Sequence, residues 1–377
     1  MTRGWEQPAP ELAPGALPNA AGMDLAALRD QVAALGESPF RAAQIYEGLY
    51  RHRWTRWEQF SGLSKDLRAR LEAQVALRWP DIQESLPSED GATKHAFRLD
   101  DGSVVEGVHM PYGGRTTLCL SSQVGCAMGC TFCATGLMGI RRNLTRGEIA
   151  GQVVTMLNAH GHQGNEPVNL VFMGMGEPLH NLDQVMGAFA LLADPKGLAI
   201  SPRRITVSTS GLVSGIQRLG AYPRRPRLAL SLNATTDAYR DRIMPVNRAW
   251  NLAALAQALK AFPLEPGERI TLEYVLLRGV TDSLEDGRRL AAFAGQFPSK
   301  VNLIPFNPHE GSGFEPPTEA RIGELCALLG ARHLTVSVRR SRGQDVAGAC
   351  GQLARGTRKD HGGSGVRALG KTSDDNG

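Results

Sequence analysis

The chain has 377 residues, 42% of them hydrophobic and 21% charged, which is enough to bury a core in one large or two to three smaller domains. No apolar run approaches the roughly 20 residues that span a bilayer, and no apolar signal core is evident. Neither a membrane-spanning helix nor a secretory role is expected, and a cytoplasmic location is. A net charge of +5 permits an RNA partner and equally suits plain solubility.

Residues 1–22 carry Pro8, Pro10, Pro14 and Pro18 among Ala and Gly, and predict a disordered leader. Residues 23–90 predict a small helical accessory domain. Leu25, Leu28, Val32 and Leu35 recur at helical spacing, as do Ala43, Ile45 and Leu49, and then Leu67, Leu71 and Val75 behind a Ser64 N-cap. Within it, Arg51 to Trp57 interleaves basic and aromatic residues. Two readings stand: an RNA contact, or a solvated loop whose indoles pack on the helices. Residues 91–115 predict a β-hairpin turning at Asp100-Asp101-Gly102, with Glu106 in its second strand.

Residues 116–355 alternate β and α. Strands are expected at Thr117–Ser121, Val168–Met173, Ile205–Ser208, Leu228–Leu232, Ile270–Leu277 and Val301–Pro305, with a last strand or edge at Leu334–Arg340. Helical patterns separate them, one opened by a Thr145–Glu148 capping box. Six βα units imply a parallel sheet whose chemistry lies at the C-terminal strand ends. The Gly-rich, polar tail, 356–377, predicts disorder.

Three cysteines, Cys126, Cys130 and Cys133, lie within eight residues, half of the chain's six. Without a secretory signal they read as reduced thiols or metal ligands. Spaced so closely, they suit one soft metal centre with an open corner better than a four-ligand zinc site or a disulfide. Polar residues recur after successive strands: Gly174-Met-Gly176-Glu177, Ser208-Thr-Ser210, Ser231-Leu232-Asn233 and Asn307. Glu177 could hold an ammonium group, and the glycines would let backbone approach a ligand. Cys119 and Cys350 stand alone, the first on a strand aimed at the cysteine loop and the second among small residues. Cys326 reads as packing inside an apolar helix. The pairs Arg141-Arg142, Arg203-Arg204 and Arg224-Arg225 read either as phosphate contacts or as solvated faces.

The cysteine spacing resembles that of the radical S-adenosylmethionine (SAM) enzymes. The runs Cys119 to Cys133, Met173 to Pro178, Val207 to Gly211, Pro305 to Pro308 and Ala349 to Gln352 more closely resemble the bacterial RNA adenine C2-methyltransferases. The resemblance implies a partial (β/α)6 radical SAM barrel with a small N-terminal helical domain and a β-hairpin extension. It implies methylation of adenosine 2503 in 23S rRNA and adenosine 37 in tRNAs, with two SAM molecules used per turnover. Cys126, Cys130 and Cys133 would hold a 4Fe–4S cluster. Gly176, Glu177, Ser208, Ser231, Leu232, Asn233 and Asn307 would contact SAM. Cys350 would carry the methyl group and become linked to the RNA; Cys119 would release the product, leaving a disulfide; Glu106 would be the general base. A flavodoxin-like electron donor and a monomeric chain are expected. Three alternatives remain: a sister enzyme methylating C8, which confers antibiotic resistance, a non-catalytic RNA-binding iron–sulfur protein, and a radical SAM enzyme acting on a small molecule.

Overall fold

The computed structural model describes residues 17–164, 166–309 and 312–354. It opens with α1 (Leu25–Ala34), α2 (Pro39–Tyr50) and α3 (Lys65–Gln74). A side chain caps each: Asp24 accepts the Ala27 N–H, Ser38 the Phe40 N–H and Ser64 the Leu67 N–H. Leu28 and Val32, Ile45 and Leu49, and Leu67 and Leu71 form the buried stripes.

Two expectations are corrected here. The described end of the predicted leader is packed. Ala20 and Ala21 are buried, the Ala20 N–H reaches Ala76 O at 2.8 Å, and the Ala76 N–H returns to Pro18 O at 2.9 Å. Small side chains let this segment bridge to the chain leaving α3, which proline content alone does not reveal. Residues 1–16 of that leader, and the predicted tail 356–377, lie outside the described residues. The span 23–90 also does not stay helical, because Asp81–Pro87 is a strand, β1. Its two faces, Asp81-Gln83-Ser85 and Ile82-Glu84-Leu86, both contain polar residues, so the alternation of period two is faint in the sequence.

Strand β1 pairs antiparallel with β2 (Thr93–Arg98), and β2 with β3 (Val104–Tyr112), the hairpin expected around Asp100 to Gly102. A two-residue turn, Gly113 (φ 56°) and Gly114 (φ 71°), leads into β4 (Arg115–Cys119). Positive φ at both positions is what such a tight hairpin requires, and glycine supplies it without strain. Next, β5 (Gln123–Cys126) and β6 (Gly139–Asn143) form a separate small hairpin flanking α4 (Ala134–Leu137). Helix α5 (Arg146–Ala159) follows, opened by the Thr145–Glu148 capping box.

The remaining units are β7 (Val168–Phe172), α6 (Leu182–Ala193), β8 (Ile205–Thr209), α7 (Val213–Gly220), β9 (Arg227–Ser231), α8 (Asp237–Ile243), α9 (Leu252–Ala261), β10 (Ile270–Leu276), α10 (Leu284–Ala294), β11 (Ser299–Pro305), α11 (Glu319–Gly330) and β12 (Val336–Val338). The main sheet has ten strands in the order β1-β2-β3-β4-β7-β8-β9-β10-β11-β12. From β4 onward every neighbouring pair is parallel. Consecutive parallel strands joined by helices are the partial barrel expected, with the antiparallel β1–β3 added at its β4 edge. No helix among the described residues is long and apolar enough to cross a membrane.

Candidate active site

The C-terminal strand ends converge on a cavity of about 920 Å³. Cys126, Cys130 and Cys133 line one side of it, Gly174, Gly176 and Glu177 another, and Ser208, Ser231, Asn233, Glu273 and Asn307 the rest. The glycines answer first to the chain itself. A Cβ on Gly174 would meet Leu120 O at 2.7 Å, and one on Gly176 (φ 103°) would meet Gln123 Cβ at 2.6 Å. They let the turn after β7 seat on the end of β4, which leads into the cysteine loop. Glu177 is buried there, and its oxygens accept the Ser210 N–H at 2.7 Å and the Leu179 N–H at 3.1 Å. Burial raises its pKa, with the Ser210 N–H opposing the rise.

Ser208 Oγ and Ser231 Oγ stand 3.2 Å apart. Asn233 adopts a left-handed backbone (φ 57°), and its Oδ1 accepts the Val275 N–H at 3.0 Å, tying the end of β9 to β10. Leu232 does not line the cavity. Its side chain is fully buried, its N–H donates to Glu273 O at 2.9 Å, and its carbonyl accepts from Arg240 Nε at 3.0 Å.

A second cavity, of about 1020 Å³, adjoins the first and contains Cys119. Cys350, Met173 and Arg339 line both cavities. The Cys350 loop is laced to the cysteine loop. The Ala134 N–H donates to Gly351 O at 2.7 Å and Thr135 Oγ1 to Leu353 O; from the segment after β11, His309 Nε2 contacts Phe132 O at 3.2 Å. Asn307 Nδ2 donates to Cys350 O at 3.0 Å, so its amide holds this loop in place. Glu106 lines neither cavity. It shares a strand face with Val108 and Met110, which line the second. Lys94 Nζ, 3.2 Å away, and the Ala354 N–H, at 2.9 Å, cover its carboxylate.

A family model described as the radical SAM superfamily matches residues 120–291. Another, the ribosomal RNA large subunit methyltransferase N-terminal domain, matches residues 18–77. The dual-specificity RNA methyltransferase RlmN of Geotalea uraniireducens is 50% identical over 86% of this chain and 93% of its own. The RlmN 2 protein of Myxococcus xanthus is 46% identical over 92% and 93%, respectively. The chain belongs to the RlmN family of radical SAM methyltransferases. The crystal structure of a radical SAM methyltransferase from Sphaerobacter thermophilus superposes with a TM-score of 0.86 and 41% identity, over 89% of this chain and 99% of that one. The resident cofactors of such a protein are a 4Fe–4S cluster and SAM.

The donor set suits a 4Fe–4S cluster. Burial pushes the Cys126 thiol up to about 12 and Cys130 well above its ordinary value, and for Cys130 its neighbours Cys133 and Cys126 add to the rise. Three thiolates so close together, one buried and two partly buried, are stable only beside compensating positive charge, which a metal centre provides. Among the described residues no trio of Cys, His, Asp and Glu is drawn in to the spacing of a single metal ion. A cluster that presents a different iron to each thiolate takes a more widely spread trio.

Two arginines escaped the sequence reading, one lining this RlmN-family site and one behind it, where its charge acts on Cys130. Arg339 lines both cavities and feels the charge of both lone cysteines, that of Cys350 being the largest influence holding its pKa up. Its Nη1 reaches Met173 Sδ at 2.9 Å and Glu273 at 3.3 Å. Arg240 is fully buried, with Nη1 3.0 Å from Asn247 Oδ1 and Nη2 2.5 Å from Ser210 O. Nothing in the local pattern of either segment marks them; only the strand order brings them in.

Most of the basic residues proposed for RNA serve the fold. Arg142 bridges Asp101 at 2.7 Å and Glu148 at 2.8 Å, and Arg225 is buried against Glu268 and the Phe262 ring. Arg224 donates to Ala193 O and Arg204 to Asn169. Trp57 is buried with its Nε1 on Val75 O, and Trp54 packs edge-on against Phe60, so the packed-loop reading of Arg51 to Trp57 holds for the indoles. All six cysteines are free thiols, and Cys326 is half-buried.

Proposed function

We propose that this RlmN-family methyltransferase methylates C2 of adenosine 2503 in 23S rRNA and of adenosine 37 in tRNAs. The observation that carries the reading is the position of Cys350 on the wall shared by both cavities. One thiol would then face a cofactor on one side and a nucleobase on the other. Adenine C2 is an electron-poor aryl carbon with no lone pair, so direct displacement on a sulfonium methyl is not available to it.

The three loop cysteines would hold the cluster, leaving a corner open to SAM. Gly176, Glu177, Ser208, Ser231 and Asn233 would hold SAM, with Asn307 also fixing the Cys350 loop; Leu232, off the cavity with its backbone already bonded, would act only by holding Ser231 and Asn233 in place. Cluster and SAM together supply one-electron hydrogen-abstraction chemistry. Cys350 accepts the methyl and presents its carbon to C2. Once the C2 proton is gone, Cys119, lining the same cavity, attacks the Cys350 sulfur; the carbon–sulfur bond breaks, the freed methylene carbon takes up a proton to become the methyl group, and a disulfide is left for an external reductant to open. Glu106, on the adjoining strand face, would take the C2 proton.

The test is mass spectrometry of RNA adenosines after anaerobic incubation of the cluster-loaded protein with SAM and a reductant. A 2-methyladenosine signal that disappears in Cys350→Ala supports the assignment. An 8-methyladenosine signal, or no methylated adenosine, overturns it.

A further inference from the structure

The cavity containing Cys119 and Cys350 is lined at the turn between β3 and β4 by Tyr112 and Arg115. Its lining includes Arg115, Arg339, Arg340 and Arg342 and no carboxylate. Three of these arginines are neutralised from outside the cavity: Arg339 by Glu273, Arg340 by Glu319 and Arg342 by Asp90. Among the described residues, the Arg115 guanidinium has only the Tyr112 ring for a partner, 5.8 Å from its carbon to the centroid.

Tyr112 is 68% exposed, more than any other large hydrophobic side chain described. Arg342 also lies 5.9 Å from its ring centroid. Tyr112 and Arg115 face each other across the strand pair, and the two-glycine turn fixes their separation. An aromatic ring held in water between guanidinium groups, at the rim of a carboxylate-free cavity, fits a nucleobase and its phosphate better than an apolar protein surface.

We propose that Tyr112 and Arg115 form a stacking platform for the RNA nucleotide next to the one being methylated. The inference rests on the RNA-methyltransferase reading. A base can reach the paired thiols only after leaving its stack, which strips its neighbour of a stacking partner. The Tyr112 ring replaces that partner, and Arg115 meets the adjoining phosphate.

The probe is an RNA hairpin with the target adenosine in its loop, used with the full-length, cluster-loaded protein. Tyr112→Ala raises Kd and KM for the hairpin about five- to 150-fold, with kcat changing less. Tyr112→Phe keeps the π face and restores affinity. Arg115→Gln makes the slope of log affinity against log salt about 0.7 to 0.9 shallower, the loss of one phosphate contact. The exposed position predicts a melting temperature for Tyr112→Ala equal to that of the parent, which separates binding from folding. Unchanged Kd and KM in Tyr112→Ala, or Tyr112→Phe behaving like Tyr112→Ala, overturns the proposal. So does a defect seen only on protein-containing ribosomal particles, which would assign the patch to a protein. Failure of the parent protein to methylate any RNA would instead count against the functional reading, and the Kd comparison would still report on the platform.

Discussion

Replacing Asn307 by Ala separates two roles that its position allows. The Asn307 amide donates to Cys350 O at 3.0 Å and to Ser341 Oγ at 2.9 Å, and accepts from Gln344 Nε2 at 3.0 Å. Gln344 is exposed, so water replaces that third bond at little cost. The other two partners are partly buried, and each lost bond costs about 1 kcal/mol net. The Cys350 loop should therefore open more easily by about 2 kcal/mol, roughly a 30-fold rise in its open population. Hydrogen exchange reads this directly. The N–H groups of Ala347, Gly348, Ala349 and Gln352 all bond within the loop, and their exchange should quicken by about that factor. Transfer of a methyl from SAM to Cys350, followed by peptide mass, should slow by as much as 100-fold, because a misplaced acceptor loses its alignment. Unchanged loop exchange together with a raised KM for SAM would refute the positioning role and leave only a SAM contact.

Glu106→Gln removes one partner of an ion pair whose side chains are 10% (Lys94) and 2% (Glu106) exposed, so unfolding free energy should fall by about 3 kcal/mol in denaturant titration; a fall no larger than a surface substitution gives would show that the pair is not desolvated. Burial first, and then the charge of Cys350, push the Cys119 thiol up to about 12 from its ordinary 9.0. A pKa raised on folding contributes stability that is fully present below about pH 9 and lost as pH rises towards about 12. Cys119→Ala should flatten the fall in unfolding midpoint across that window, and an unchanged pH profile would contradict the shift.

The local periods of the sequence settled much of the architecture. Alternating strand and helix patterns foretold the parallel sheet, and the Ser64 and Thr145 caps marked helix starts that the structure bears out. These signals are local, since a cap or an apolar stripe works within a few residues of itself. The three closely spaced cysteines were legible for the same reason. Strand β1 was not, because neither of its faces is cleanly apolar and pairing with β2 decides its conformation. The roles of the arginines were likewise undetermined. A guanidinium in sequence does not say whether it will find Glu148, as Arg142 does, or line both cavities, as Arg339 does.

The sequence by itself singled out the residues proposed for the chemistry: the thiols, the Gly-rich turn and the polar strand ends. Only the tertiary structure decided that Cys350, more than 200 residues after the cysteine loop, stands between the two cavities with Cys119 across the second one. That placement depends on the order of strands in the sheet and on hydrogen bonds between distant loops. Such contacts leave no periodic trace in the chain, because each links positions that only folding brings together.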